Sequence, residues 1–190
     1  MKTQRMWTRQ VADVLKELEQ TGRYLCKEQY IREKNGSMAD YYLRLYEWYT
    51  RHAARYMKIP EDAGYPIWLS MDEETMLQPV EGTVILEAEI PKEQFLLCNM
   101  DAWGYRVNYW YVPLDEQDEK HHLRELKRFG VTNEEELIMT DKGNFYPLLK
   151  REIEASWERV FTVMPKNPKD SVATAWELRK EWIREVRYFE

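Results

Sequence analysis

Eight side chains spread along the sequence have the chemistry that ligand binding needs: Trp7 and Thr8, Tyr65 with Trp68 and Ser70, Asp101 with Trp103, and Arg179. Indole and phenol rings supply flat apolar walls, while a hydroxyl, a carboxylate and a guanidinium fix the orientation of whatever sits between them. Gathered at strand ends, these groups make a pocket for a small ligand or a peptide, and a binding module with an aromatic-lined pocket is the leading expectation. Arg179 is expected on the apolar face of a terminal helix. Its head either snorkels out to a surface glutamate or anchors a ligand carboxylate or phosphate.

Two other readings use the same sequence differently. In an ADP-ribosyltransferase-like, NAD-using enzyme, Trp7, Thr8 and Arg9, followed by Tyr65, Trp68 and Ser70, would wall the nicotinamide and hold the pyrophosphate. Glu177 would then orient a ribose hydroxyl and favour an oxocarbenium-like transition state. The spacing reads Glu177 as an exposed helical residue, whereas that chemistry would prefer it on a strand. The third reading is a regulatory protein that binds a protein partner through its surface, without a pocket, along the acidic run Glu134, Glu135 and Glu136.

The aromatic stretch "MDAWGYRVNYWYVP", Met100 to Pro113, tests how much of this density is packing. With Asp101 as a helix cap, Trp103, Val107, Trp110 and Tyr111 fall at i, i+4, i+7 and i+8, a core stripe. Tyr105 and Tyr109 take a neighbouring face. Ligand chemistry is then left to Asp101, Trp103 and the outer tyrosines.

Several classes are excluded. There is no phosphate-binding glycine loop, no Gly-x-Ser-x-Gly elbow and no His-Glu-x-x-His helix, so no cofactor is assigned. His121 and His122 fall on a helix expected to be exposed and His52 lies at a stripe edge, so no metal site is expected. Cys26 and Cys98 lack zinc or redox spacing and read as buried thiols of a reducing compartment. With 28 basic against 34 acidic residues, the net charge of -6 gives no global attraction to nucleic acid, and "HHLRELKR" reads as a solvated amphipathic helix. The N-terminus has no apolar leader core and no run reaches the roughly 18 apolar residues of a membrane span, so a soluble cytoplasmic protein is expected.

The elements that must position these groups read as α+β: a small central β-sheet packed by several amphipathic helices, with a helical C-terminal half, in a single domain over residues 1–190. "RMWT" reads as an edge strand, followed by a helix on Val11, Val14, Leu15 and Leu18 that Gly22 ends in a left-handed cap. A long helix is expected over about 38–57, capped by Ser37 or Asp40. "GYPIWLS" and "FLLC" read as short strands, and "TVILEAEIP" as the clearest one, with Val84, Leu86, Ala88 and Ile90 facing one way. Leu123, Leu126 and Phe129 make a helical stripe, Thr132 and Glu135 a capping box, and Pro147 opens a helix on Leu149, Ile153 and Trp157. The linker "MPKNPKD" precedes a last helix from Ser171 to about Phe189.

The set "MWTRQ", "LYEWYTRHAARYM", "GYPIWLS", "VILEAEIPKEQFLLCNMDAWGYRVN", "SWERVF" and "ATAWELRKEWI" resembles a family known as domain of unknown function 3841, over almost the whole chain. The resemblance rests on Trp7 and Thr8, Pro66 and Trp68, Val84 to Pro91, Asp101 and Trp103, and Trp176 to Leu178. It implies a bacterial, cytosolic setting and supplies no mechanism.

Overall fold

The computed structural model describes residues 2–165, 167 and 170–189; Lys166, Pro168 and Lys169 of the expected linker lie outside them. The fold is mixed α+β, with an antiparallel six-stranded sheet. Contacts gather the chain into two compact units, residues 1–97 with 171–190, and residues 98–170. Among the described residues no helix is long and apolar enough to cross a membrane.

In the first unit, β1 (Thr3–Val11) is the central strand, not an edge. On one side it pairs with β4 (Thr83–Pro91) over its full length, from Thr3↔Pro91 to Val11↔Thr83. On its other side lies β3 (Ile67–Ser70), which in turn pairs with β6 (Ser171–Ala175). The order is completed by β5 (Leu96–Asn99) beyond β6 and β8 (Ile183–Tyr188) beyond β4. Period-two alternation sorts the side chains: Met6, Ile67, Leu69, Leu86, Ala88 and Ala173 share the face that joins the core of Val14, Leu18, Tyr24 and Trp182. Those residues come from α1 (Val14–Thr21), ended as expected by Gly22 in the left-handed region at φ 75°, and from the two-stranded ribbon of β2 (Arg23–Tyr24) and β7 (Leu178–Arg179). α2 (Glu28–Asn35) packs on α3 (Ala39–Ala53), whose Tyr49 reaches the opposite face of the sheet, its hydroxyl 3.0 Å from Thr174 Oγ1.

The expected last helix is instead β6, β7 and β8. Its Ala, Glu, Arg and Lys content suits a helix, but Ala173 and Ala175 alternate with Val172 and Thr174, β6 lies between β3 and β5, and β8 is paired along one side by β4. Cross-strand pairing overrides propensity here. Arg184 meets Glu89 and Arg187 meets Glu87 across the β4–β8 ladder. These are the same charges that mimic a helix pattern in the sequence.

The second unit holds α4 (Met100–Val107), α5 (Glu116–Arg128), α6 (Glu135–Met139) and α7 (Pro147–Ser156). Asn99, not Asp101, caps α4, accepting from Asp101 N and Ala102 N. The helix ends at Val107, because Tyr109 turns the chain in the left-handed region at φ 59°, so Trp110 and Tyr111 do not extend its stripe. Asn133, rather than Thr132, caps the Glu135 amide. Neither Ser37 nor Asp40 caps α3, which starts at Ala39 with Met38 at the cap position and no side-chain cap. On α5 only Leu126 of the expected stripe is buried, while Leu123 and Phe129 are exposed. His122 takes the inner face instead, stacked 3.9 Å from the Tyr111 ring and facing Glu134 and Glu152 at 3.3 and 3.7 Å.

Glu87 fastens the other face of the sheet. Almost fully buried, it accepts from Trp7 Nε1 at 3.2 Å and pairs with Arg5 at 2.5 Å and Arg187 at 3.4 Å. The Arg5 guanidinium chiefly holds its carboxyl below the usual range, against the opposing effect of burial. A depressed folded-state value means that this stability is present above the unfolded carboxyl range, about pH 4.3, and is lost as pH falls through the lower folded value. Replacing Glu87 by Gln should cost about 1–3 kcal/mol in urea unfolding at pH 7, and the cost should shrink at pH 3; equal costs at both pH values would contradict this role.

Candidate functional site

Pairing between β1 and β3 consists of one residue pair, Trp7↔Ser70. Beyond it β1 keeps its partner β4 up to Val11, while β3 continues toward Pro66 without a further registered pair, so the sheet opens between the two strands. Thr8 bridges the start of the opening, donating from Oγ1 to the Trp68 carbonyl at 2.8 Å. A side chain stands here where a ladder amide would otherwise donate, which satisfies a carbonyl that the divergence exposes.

A cavity of about 380 Å³ occupies this opening. Its walls are Tyr24, Tyr30, Tyr46, Trp68, Ile67 and Val11. Trp68 lies against Tyr46, ring centroids 6.1 Å apart, and against Tyr49 at 5.3 Å, so α3 fixes the orientation of the indole. Inside runs a polar chain: Tyr24 donates to Gln10 Oε1 at 3.3 Å, and Gln10 Nε2 donates to Thr8 Oγ1 at 2.8 Å. Burial pushes the Tyr46 hydroxyl up to about 12 and raises Tyr24 as well, so both phenols stay neutral donors at physiological pH. The wall also holds Cys26, whose thiol burial pushes up to about 11.

The mouth is charged and partly apolar. Arg9 from β1 and Lys34 from the last turn of α2 both line it, and Arg9 donates from Nη1 to the Gln78 carbonyl at 2.8 Å. That bond ties down the loop that presents Leu77 and Val80 to the cavity, both about half exposed. Desolvation and, second, the Arg9 guanidinium hold the Lys34 ammonium below the ordinary lysine range. The two cations therefore sense each other.

Of the sequence-derived site residues, Thr8 and Trp68 line this cavity, as does Arg9 from the transferase reading. Trp7 points to the other face of β1 and is committed to Glu87. Tyr65 donates weakly to Glu28 at 3.5 Å, and Ser70 to the Thr75 carbonyl at 3.4 Å; neither lines the cavity. Glu177 is not on a helix and not exposed. It sits buried between β6 and β7, held by Arg23 Nε at 2.5 Å and Arg179 Nε at 2.9 Å, which also supplies the partner that Arg179 requires. Asp101 and Trp103 belong to the second unit, Asp101 exposed in the first turn of α4 and Trp103 buried.

Sequence reasoning missed Gln10, Tyr24, Cys26, Tyr30, Lys34 and Tyr46. One signal was readable: Thr8 and Gln10 follow Met6 at period two, which puts polar groups on the core-facing side of a strand.

Residues 5–184 match the family described as "Domain of unknown function (DUF3841)". No curated protein and no solved structure matches the chain.

The two thiols give a direct readout of the cavity. Cys98 is fully buried, whereas Cys26 is half-buried in the wall. A small maleimide should label the native protein once, at Cys26, with a rate that rises with pH toward about 11 as the thiolate forms. Peptide mapping that finds Cys98 labelled as fast as Cys26 would contradict the geometry.

Proposed function

The chain belongs to the domain of unknown function family DUF3841, a membership that brings no chemistry with it, and we propose from the geometry that the protein binds a small ligand in the opening between β1 and β3. The observation that carries this reading is a ladder that stops after one pair and is replaced by an aromatic-walled cavity. Closing β3 onto β1 would add ladder hydrogen bonds and remove apolar surface from water, each a gain in stability. Keeping the strands apart forgoes that gain, as binding sites do when they must stay accessible.

Volume and lining support the same reading. A cavity of about 380 Å³ lies within the roughly 300–1,000 Å³ of small-molecule sites, which combine apolar walls with a few placed polar groups. Here the walls are Tyr24, Tyr30, Tyr46 and Trp68, and the polar groups are Thr8, Gln10 and Tyr24. Binding and orientation need no further residue. A bacterial, cytoplasmic setting is proposed as expected from the sequence, and the free thiols Cys26 and Cys98 suit the reducing compartment, though they say nothing of the organism.

A thermal-shift screen of metabolites tests the reading, since a ligand at 100 times its Kd adds about 2.7 kcal/mol to stability. Trp68→Leu keeps an apolar side chain but removes the indole of a half-buried position, and should cost about 1–3 kcal/mol of fold stability while abolishing the shift from any hit. A hit whose shift survives Trp68→Leu binds elsewhere and counts against the site.

A further inference from the structure

Resting on that reading, we infer that the ligand is a small aromatic oxyanion: a planar ring held in the cavity, carrying one carboxylate or phosphate group at the mouth between Arg9 and Lys34.

The ring follows from the walls. Tyr24, Tyr30, Tyr46 and Trp68 come from four different elements and present aromatic surface to one space, with Trp68 braced by Tyr46 and Tyr49. Flat π-faces so placed favour offset or edge contacts with another planar ring. The inner end offers hydrogen bonds to a ring heteroatom or substituent. Gln10 has spent one carboxamide hydrogen on Thr8 and accepts from Tyr24, leaving a second hydrogen to give.

The oxyanion follows from the mouth. Two cations from separate elements, a central strand and the last turn of a helix, face one opening. Like charges brought within range of each other repel, and an anion between them removes that repulsion while gaining two charge-assisted hydrogen bonds. Arg9 spends a single N–H on the Gln78 carbonyl, so its planar fork keeps donors for an oxyanion. Glu33 also lines the opening but accepts from Gln29 at 2.8 Å, one turn back along α2. Leu77 and Val80, half exposed on the loop that Arg9 tethers, would gain cover from the ring as it enters.

Calorimetric titration with naphthyl phosphate, naphthoate and neutral naphthylmethanol holds the ring constant and changes only the head group. Each anion should bind at least about tenfold more tightly than the alcohol, and added salt should weaken only the anions. Phosphate above carboxylate would favour a phosphorylated metabolite, and the reverse an aromatic acid. Lys34→Gln, at a solvent-accessible helix end, should cost the anions about tenfold and leave the alcohol unchanged; Arg9→Lys keeps the charge and should lose less than Arg9→Gln. The probe should also slow maleimide labelling of Cys26. Equal binding of all three compounds with protection of Cys26 overturns the oxyanion inference while leaving the small-ligand reading standing. No binding and no protection by any of them overturns both.

Discussion

The first unit depends on how β1 is held at its two edges. Along one edge it is paired with β4 over nine residue pairs, and along the other it meets β3 once, at Trp7↔Ser70. A strand so unevenly paired needs other means of keeping its place. The buried Glu87 supplies one beneath it, clasping Trp7, Arg5 and Arg187, and Thr8 supplies another by capping the Trp68 carbonyl where β3 departs. With β1 fixed, the opening beside it is a feature of the ladder and not of a loose loop. Cavity, polar chain and charged mouth all follow from that divergence.

The two faces of β1 divide the work. Trp7 and Thr8 are neighbours in sequence, and alternation sends them to opposite sides of the sheet. Trp7 becomes part of the charged clasp; Thr8 becomes part of the cavity. On β3, Trp68 and Ser70 are two residues apart and share a face, but only Trp68 walls the cavity, while Ser70 closes a turn onto Thr75. Buried charge elsewhere is matched in the same manner, Glu177 by Arg23 and Arg179, and the Arg106 guanidinium of the second unit lies 3.9 Å over the Trp157 ring.

Much of this was legible in the sequence where a single period dominates. The α+β class, the strand of Val84 to Ile90, the Gly22 cap and the proline that opens α7 follow from alternation and punctuation alone. The terminal strands were not legible as strands, because Ala, Glu and Arg favour a helix in isolation and only the partners β3 and β4 reverse that preference. Glu177 was misplaced for the same reason. The cavity was half visible: Thr8 and Trp68 carry the right chemistry, but Tyr24, Tyr30, Lys34 and Tyr46 read locally as ordinary helix or strand residues. Only the third dimension brings them to one space, since no sequence pattern encodes where a ladder stops.

An experimental structure of the unliganded protein, followed by soaking of aromatic fragments into the same crystals, tests the central claim most directly. The account predicts that β1 and β3 part after Trp7 and Ser70, with fragment density enclosed by Tyr24, Tyr30, Tyr46 and Trp68. Strands zipped together from Trp7 to Val11, with the aromatic rings packed into a closed core, would contradict it.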